Sequence, residues 1–466
     1  MGSDGAAEKA AAIEFGTDGW RATLDTFTTP RVRMVGQAVA TALDAREESR
    51  PVAVGYDARE SSRGFAEELA RVICANGFDV LLPDRDTPTP VVAWTVRDRD
   101  LAGALQITAS HNPPEYNGVK FLSDEGAPAL PELTEEIEAA LAEPDPLPED
   151  EWGSITEESL VEDYQEHALE YADVDLSGQS VVYDAMHGSG RGVTDDLLAQ
   201  AGADVTALRD ELDPEFGGSS PEPTAEKVGD LIDRVADGEG SIGVVNDGDA
   251  DRIGVVTPER GFLGPNLFFA ALYDYLLESR EGPVVRTVSS SSIIDRVAEA
   301  HDESVYETAV GFKWIAEAMA EHDALFGGEE SGGFGLTDHV RNKDGVLMSL
   351  LAVAADKEEP LDDRVDRLLE AHGEIHQNRI SVDCPDDRKE PVLSELEESL
   401  PESVAGVAVD GINTVDGFKI RLEDGTWLLV RPSGTEPKLR VYAEAGSKDR
   451  VQELLSAGRE IVTPLV

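Results

Sequence analysis

Residues 101–120 read LAGALQITASHNPPEYNGVK. The apolar run at 101–107 predicts a buried strand, and the two prolines that follow prevent it from continuing into a helix. Asn117-Gly118 is a turn dipeptide, so the chain is expected to reverse there. The stretch therefore predicts a strand that ends in a loop, with the hydroxyl group of Ser110 at the end of the strand.

Ser110 is a candidate nucleophile. A serine attacks phosphorus or carbon only when a base takes its proton or a cation stabilises its alkoxide, and His111 and Lys120 lie within the same loop. The alternative interpretation is an Asn/Pro turn with a capping serine. The other loops of the chain bear on this choice.

A second loop carries alternating carboxylates at Asp247, Asp249 and Asp251, followed by Arg252, between apolar strands at 241–245 and 253–256. Like charges at this spacing repel unless a cation cancels them, which favours a divalent ion with oxygen ligands. The guanidinium group of Arg252 is suited to a phosphate oxygen.

The acidic loop has two other interpretations. An EF-hand requires Gly at its sixth position, Glu at its twelfth and helices on both sides, whereas this loop has Arg252, Pro258 and strands. A solvated acidic turn is the remaining alternative in a chain this acidic.

Two later loops complete a set of four. In Gly327–Phe334, the side chains of Glu329 and Ser331 can form hydrogen bonds with the hydroxyl groups of a sugar. In Arg431–Pro437, an arginine, two hydroxyl groups and backbone amides form a candidate phosphate site after the strand at 427–430. Each loop alone could be a flexible glycine loop or a hairpin turn.

The net charge is −56, with 95 acidic and 39 basic residues among 466. Acidic side chains at this density repel one another strongly, and salt screens this repulsion, so the protein is expected in a salt-rich cytoplasm. The same negative charge repels nucleic acid and anionic membranes, which are therefore excluded as partners. The acidic residues occur in every segment and 41% of residues are hydrophobic, so the chain is not a disordered acidic tail. No apolar run has the length of a membrane span, and the first residues do not resemble a secretion signal. The two cysteines, Cys74 and Cys384, do not indicate a disulfide framework.

Strands alternate with helical stretches, which predicts an α/β architecture. The segments 56–65 and 183–193 each follow a valine-rich strand and open a helical pattern, so two domains are expected to share one fold. The serines at 289–292 mark the corresponding turn of a third copy. A helix at 157–171 is expected to bridge the first two domains, and after His376 the pattern indicates a smaller α+β domain with turns at Asp410-Gly411 and Asp424-Gly425.

Taken in order, the four loops and the segment FGTDGWR at 15–21 resemble the α-D-phosphohexomutase family, which includes phosphoglucomutases and phosphomannomutases. The resemblance implies four domains around a central active-site cleft, the first three similar α/β units with mixed sheets and the fourth a smaller α+β domain. The expected divisions are 1–155 with the phosphoserine loop, 156–278 with the metal-binding loop, 279–374 with the sugar-binding loop and 375–466 with the phosphate-binding loop.

The resemblance also implies the chemistry, namely interconversion of a hexose 1-phosphate and a hexose 6-phosphate through a hexose 1,6-bisphosphate. The implied cofactors are Mg²⁺ and glucose 1,6-bisphosphate, the partner is a sugar phosphate, and the chain is expected to be a monomer or a small homo-oligomer. The implied catalytic residues are Ser110, carried as a phosphoserine, with Lys120, His111, Arg21 and Lys343. Mg²⁺ is expected on Ser110, Asp247, Asp249 and Asp251. The expected substrate-binding residues are Arg252, Gly311, Phe312, Lys313, Glu329, Ser331, Arg431, Ser433, Gly434, Thr435 and Arg440.

The identity of the general base is left open between Lys120 and Lys343. Either lysine could instead only neutralise phosphate charge, and His111 is the next candidate. A Lys→Arg substitution separates these roles, because arginine keeps the charge but does not release its proton.

The sugar is inferred from the third loop. Val310 and Phe312 stand where some phosphoglucomutases have threonine and tryptophan, which weakens the assignment of the sugar. The order Glu329-Glu330-Ser331 favours glucose phosphate over mannose phosphate, with dual specificity allowed, and disfavours glucosamine phosphate, for which Gln before Ser is expected. Outside the mutases, a serine-dependent phosphohydrolase and a divalent-ion-binding protein are the alternatives.

Overall fold

The computed structural model describes residues 10–16, 19–434 and 436–466. Within these residues the chain forms four sheets that follow one another along the sequence, with helices between the strands. No helix in this part of the chain is both long enough and apolar enough to cross a membrane.

The first sheet has six strands in the order β1-β5-β4-β2-β3-β6. Its strands are β1 Trp20–Thr23, β2 Val52–Tyr56, β3 Val80–Pro83, β4 Gly103–Ile107, β5 Tyr116–Leu122 and β6 Ile155–Glu158. Its helices are α1 Thr29–Ala45, α2 Ser62–Ala75, α3 Thr89–Asp98 and α4 Pro131–Ala139. Every residue of β4 is buried, which agrees with the strand predicted from the apolar run before Ser110.

The second sheet has five strands in the order β11-β10-β9-β7-β8. Its strands are β7 Ser180–Asp184, β8 Asp204–Leu208, β9 Ile242–Asn246, β10 Ile253–Thr257 and β11 Gly261–Leu263. Its helices are α5 Val161–Ala172, α6 Thr194–Gln200 and α7 Gly229–Ala236. The acidic loop connects β9 and β10, the two strands expected on its flanks.

The third sheet has four strands in the order β13-β12-β14-β15. Its strands are β12 Val284–Thr287, β13 Val305–Thr308, β14 Phe326–Gly328 and β15 Phe334–Leu336. Its helices are α8 Pro265–Leu277, α9 Ile293–Ala300, α10 Phe312–His322, α11 Gly345–Glu358 and α12 Leu361–His372.

The first three sheets contain the same four-strand motif. In each one a central strand pairs in parallel with two neighbours, and the next strand along the chain returns antiparallel to one of them; β2, β7 and β12 are the central strands. The serine loop, the acidic loop and the Glu329 loop all connect the third strand of this motif to its antiparallel fourth strand. The repeated topology therefore places three candidate loops at equivalent positions.

The fourth sheet is entirely antiparallel, in the order β16-β21-β20-β19-β18-β17. Its strands are β16 His376–Asp383, β17 Ser403–Val404, β18 Val407–Asn413, β19 Phe418–Leu422, β20 Trp427–Pro432 and β21 Lys438–Ala445. Two helices accompany it, α13 Asp386–Glu398 and α14 Lys448–Val462. The prediction of three similar α/β units and a smaller fourth unit is confirmed, while the residues at which one unit passes into the next stay predictions.

Two expected elements differ in the structure. The helix predicted at 157–171 begins only at Val161, because β6 pairs in parallel with β3 and keeps the chain extended through Glu158. Asp410-Gly411 is not a turn but lies inside β18, where the pairing with β19 shifts register as in a β-bulge. The chain reverses instead over residues 414–417, while the turn at Asp424-Gly425 lies where it was expected.

The apolar cores indicate how the units join. One buried cluster runs through the second and third units and includes Val92 and Trp94 of the first. The remainder of the first unit has a core of its own, and so does the fourth unit. The fourth unit meets the third through a small cluster that contains Trp427.

Candidate active site

Ser110 lies in the loop after β4, and its side chain is fully buried. Its φ angle of 51° is in the left-handed region, which is uncommon for a residue other than glycine and is found at functional sites. The hydroxyl Oγ donates to Asp247 Oδ2 at 2.7 Å, and His111 Nδ1 lies 3.2 Å from the same oxygen. The candidate nucleophile of the first unit therefore contacts the acidic loop of the second.

Arg59 holds the serine loop in this conformation. Its guanidinium group is buried and donates to the backbone carbonyl groups of Ser110, Asn112, Pro113 and Tyr116 at 2.7–3.1 Å. Asp57 accepts from Arg59 Nε at 3.0 Å, so the guanidinium is paired and oriented. Because buried carbonyl groups need hydrogen-bond donors, this one side chain satisfies a loop that has no regular secondary structure.

The three aspartates of the acidic loop are fully buried, and one carboxylate oxygen from each lies within 4.8 Å of the others. Asp249 Oδ2 accepts from Thr89 Oγ1 at 2.6 Å and from Lys120 Nζ at 2.9 Å. Asp251 Oδ2 accepts from Lys120 Nζ at 2.7 Å and lies 2.9 Å from Lys343 Nζ. The two lysines implied in catalysis are therefore both brought to the aspartate cluster.

The donor set fits a divalent cation. Asp249 Oδ1 and Asp251 Oδ1 are buried and accept no hydrogen bond from the described residues. Buried charged oxygens of this kind are costly unless a cation binds them, and hard cations such as Mg²⁺ prefer carboxylate oxygen. Asp247, Asp249 and Asp251, with an oxygen on Ser110, are thus the residues that would hold the ion.

Burial shapes the electrostatics of the cluster. Burial first, and then the charges of Asp249 and Asp251, raise the pKa of Asp247 well above its ordinary value. Burial alone would also raise the pKa of Asp249, but Lys120 and the hydroxyl group of Thr89 lower it below the ordinary value. Of these two aspartates, the one with the raised pKa is Asp247, which contacts Ser110.

Arg21 and Arg252 place positive charge near the serine loop. The guanidinium group of Arg252, followed by burial and by Arg21, lowers the pKa of His111 well below its ordinary value. His111 is therefore neutral at neutral pH, and its ring can accept a hydrogen bond. Arg21 lies on β1 beside the loop, with Nη1 3.5 Å from Asn112 Oδ1. Arg252 N donates to Asp247 Oδ1 at 3.1 Å, so all three residues lie near the serine loop, and their roles stay predictions.

The third loop meets the second through its backbone. Arg252 pairs with Gly333 in an isolated β-bridge, and Ile253 N donates to Gly332 O at 2.9 Å. Glu329 is only 8% exposed. Its Oε1 accepts a hydrogen bond from Gly311 N at 3.0 Å, and its Oε2 lies 3.3 Å from Ser331 Oγ. The loop around Gly311 and the Glu329 loop are therefore one structural feature.

Two neighbours of Gly311 have different surroundings. Phe312 is buried in the core of the third unit, in a cluster with Val285 and Met319. Its ring is therefore part of the apolar core at the start of α10, and substrate binding by Phe312 stays a prediction. Lys313 lies in the first turn of α10, with Nζ 5.5 Å from the ring centre of Trp314.

Arg431, Ser433 and Arg440 were expected to bind phosphate. They lie on the paired strands β20 and β21 or directly after β20. Arg431 on β20 pairs in register with Arg440 on β21, and Ser433 N donates to Lys438 O at 2.9 Å across the loop between these strands. Gly434 lies in the same loop, whereas Thr435 lies outside the described residues. Burial and then the charges of Arg379 and Arg431 lower the pKa of Arg440, although Arg440 also forms an ion pair with Glu436. A cluster of arginines that repel one another is suited to a phosphate dianion.

A cleft of about 810 Å³ joins the four loops. Its lining includes His111 from the first unit, Arg252 from the second, Glu330 and Ser331 from the third, and Arg440 from the fourth. This volume is within the range of small-molecule sites. Each of the four units thus contributes to one cavity.

Sequence reasoning missed several residues of the site. Asp57 and Arg59 enter the sequence analysis only as part of an internal repeat, although their position directly after a buried strand is a usable signal. Lys389 donates from α13 to the carbonyl groups of Ser433 and Glu436 at 2.6 and 2.7 Å, so it joins the phosphate-binding loop to α13. A signal existed here as well, because the acidic chain has only ten lysines.

The four family profiles of phosphoglucomutase/phosphomannomutase match the chain in order. Alpha/beta/alpha domain I matches residues 12–147, domain II residues 162–261, domain III residues 264–372 and the C-terminal domain residues 380–460. The four matches follow the order of the four sheets.

Individual proteins are similar over almost their whole length. A probable phosphoglucosamine mutase of Methanopyrus kandleri is 34% identical over 454 residues, covering 96% of this chain and 97% of the relative. A phosphoglucomutase/phosphomannomutase of Thermococcus kodakarensis is 31% identical over 461 residues, covering 96% of this chain and 98% of the relative. The crystal structure of a putative phosphomannomutase from Thermus thermophilus superposes with a TM-score of 0.84 at 32% identity, covering 97% of this chain and 99% of that one.

The fold, the four loops and these similarities define a phosphohexomutase, an intramolecular phosphotransferase of the isomerase class. The chain belongs to the α-D-phosphohexomutase superfamily, whose members depend on Mg²⁺. The roles of individual residues stay predictions, as do the sugar, the oligomeric state and the absence of nucleic-acid and membrane partners.

Proposed function

We propose that this protein interconverts a hexose 1-phosphate and a hexose 6-phosphate through a phosphorylated Ser110, with glucose phosphate as the preferred substrate. The observation that carries the proposal is the 2.7 Å contact between Ser110 Oγ and Asp247 Oδ2 in a cluster with two unsatisfied carboxylate oxygens. A phosphoryl group on Ser110 adds nearly two negative charges beside three aspartates, so a divalent cation becomes necessary at this point.

The reaction follows from the positions of the loops. A free hydroxyl group of the substrate attacks the phosphorus of phosphoserine 110; the new O–P bond forms as the bond to Ser110 Oγ breaks, and a hexose 1,6-bisphosphate results. The bisphosphate then reorients, and Ser110 Oγ attacks its other phosphorus; the O–P bond to the serine forms as the bond to the sugar oxygen breaks, which completes the isomerisation. Mg²⁺, when bound, stabilises the charge that develops on the transferred group.

The chain's own residues supply positioning and proton transfer. Arg431, Ser433 and Arg440 would hold the phosphate that does not react, and Glu329 with Ser331 would bind the sugar hydroxyl groups. The proton of the attacking hydroxyl group passes to a base near Ser110, for which Lys120, Lys343 and His111 are the candidates. The serine oxygen takes up a proton as its bond to phosphorus breaks. In phosphoryl transfer nearly all catalysis comes from such positioning and electrostatic stabilisation.

Glucosamine phosphate is a second candidate substrate. The relative from Methanopyrus kandleri is named a probable phosphoglucosamine mutase, at 34% identity. The order Glu329-Glu330-Ser331 in the third loop favours a neutral hexose, because no glutamine precedes Ser331. The sequence similarity and the loop composition therefore favour different sugars.

A coupled assay tests the proposal. Initial rates would be measured with glucose 1-phosphate, mannose 1-phosphate and glucosamine 1-phosphate, in molar KCl with Mg²⁺ and a trace of the matching 1,6-bisphosphate. We expect the highest kcat/KM with glucose 1-phosphate. A higher kcat/KM with glucosamine 1-phosphate would overturn the sugar assignment alone, whereas release of inorganic phosphate without isomerisation would identify a phosphohydrolase.

A further inference from the structure

Asp416 lies where the fourth unit meets the third. It belongs to the turn at 414–417 between β18 and β19, and its side chain is 15% exposed. Gly417 follows it with a φ angle of 78°, and a Cβ atom there would lie 2.2 Å from Val430 O. The turn therefore requires glycine and packs directly against β20, the strand that carries Arg431.

One carboxylate oxygen of Asp416 joins two loops. Asp416 Oδ2 accepts from Arg431 Nε at 2.8 Å and from Val310 N at 3.1 Å. Because the bond uses Nε, it orients the guanidinium group with Nη1 and Nη2 as the nitrogens left to bind phosphate. The same oxygen fixes the backbone of the loop that precedes α10.

The side chain of Val310 is fixed by packing, in addition to the hydrogen bond from its backbone. It packs against the buried cluster of Val288, Trp427, Leu429 and Tyr442, three of which belong to the fourth unit. The next residue, Gly311, donates its N–H to Glu329 Oε1 at 3.0 Å. An unbroken series of contacts therefore leads from Arg431 through Asp416, Val310 and Gly311 to Glu329.

We propose that Asp416 is a positioning residue that couples phosphate binding at Arg431 to the placement of the sugar-binding residue Glu329. This inference rests on the proposed function. A phosphate on Arg431 fixes the guanidinium group, the guanidinium group fixes Asp416, and Asp416 fixes the loop that contacts Glu329. Val310 thereby has a structural explanation: its side chain docks the third unit on the fourth.

The contact between the two units has a second support, so loss of Asp416 should not separate them. Lys419 Nζ on β19 donates to Glu307 Oε2 on β13 at 2.6 Å, and both groups are largely buried. Asn413 Nδ2 donates to Glu307 Oε1 at 2.5 Å. Substitution of Asp416 therefore tests the series of contacts with the interface still in place.

The experiment compares Asp416→Ala, Asp416→Asn and the matched control Asp410→Ala, which removes an exposed carboxylate from β18. For each variant, KM and kcat for the hexose 1-phosphate and the inhibition constant of inorganic phosphate would be measured. Inorganic phosphate probes the Arg431 site without the sugar. We expect Asp416→Ala to raise KM about 10-fold, because two hydrogen bonds to a charged group are lost. Asp416→Asn should recover part of this loss, and Asp410→Ala should match the wild type.

The coupling itself is tested by adding Glu329→Gln. If Asp416 places Glu329, Glu329→Gln should raise KM much less in the Asp416→Ala background than in the wild type. Effects that multiply to within about 2-fold would mean independent sites and would overturn the inference. An inhibition constant of inorganic phosphate that rises as much as KM would also overturn it, because the loss would then belong to phosphate binding alone. Failure of the proposed function is distinguishable, since the wild type would then show no mutase activity before any variant is compared.

Discussion

At the residue scale, Lys120 and Lys343 are defined by their partners. Both ammonium groups contact Asp251, and Lys120 also contacts Asp249, so both neutralise the aspartate cluster. His111 is a titratable group that contacts Ser110 Oγ directly, at 3.2 Å. Charge neutralisation and proton transfer are thus separable roles at this site.

Lys120→Arg separates the two roles. Arginine keeps a positive charge beside Asp249 and Asp251 but does not release its proton at working pH. If Lys120 transfers the proton, kcat should fall about 100-fold or more while the Mg²⁺ requirement stays unchanged. The pH dependence of kcat, with Lys343→Arg as the comparison, is the measurement. Near-normal turnover with an unchanged pH profile in both variants would exclude both lysines as the base and leave His111.

At the element scale, the position of a strand was predictable where its sequence is a single short apolar run. The sequence placed β4, β9 and β10 to within two residues, because each is a short valine-, leucine- or isoleucine-rich run that ends in a loop with strong turn or charge signals. The repeat of one strand motif could be inferred in two units from the segments after β2 and β7. Most of the architecture could therefore be predicted from local sequence patterns.

Elements that depend on a distant partner were not predictable in the same way. Glu157 and Glu158 belong to the predicted helix, and pairing of β6 with β3, more than 70 residues earlier, makes them part of a strand. Asp410-Gly411 has the composition of a turn, yet the register of β18 against β19 makes it a bulge. Tertiary pairing overrode local propensity in both places.

The candidate site shows the same division. Ser110 and the aspartates were identifiable because their chemistry is concentrated in one short loop each. Arg59 was not, because its role consists of four hydrogen bonds to carbonyl groups more than 50 residues away. The burial of Phe312 was not predictable for the complementary reason, since nothing in the sequence distinguishes a ring in the cleft from a ring in the core.

At the scale of the whole molecule, the net charge of −56 predicts a strong dependence of stability on salt. The Debye length falls from about 10 Å at 0.1 M salt to about 3 Å at 1 M, which removes most of the repulsion between surface carboxylates. We expect Tm to be lower by about 5 °C or more in 0.1 M KCl than in 2 M KCl. Calorimetry in the two solutions checks this, with sucrose in place of KCl as the control for solvent effects that do not depend on charge. Equal Tm values in both KCl solutions would contradict the expectation.

The whole-molecule account depends on one event, the transfer of a phosphoryl group to and from Ser110. All four units line one cleft. A phosphoryl group on Ser110 is what explains why cations and carboxylates are both gathered there. Intact-mass analysis before and after incubation with glucose 1,6-bisphosphate and Mg²⁺ measures this directly, with peptide mapping to locate the group and Ser110→Ala as the control. The account predicts one phosphoryl group on Ser110 of the wild type and none on the variant, which should also lose most turnover. A wild-type enzyme that isomerises hexose phosphates while Ser110 is never phosphorylated would contradict it.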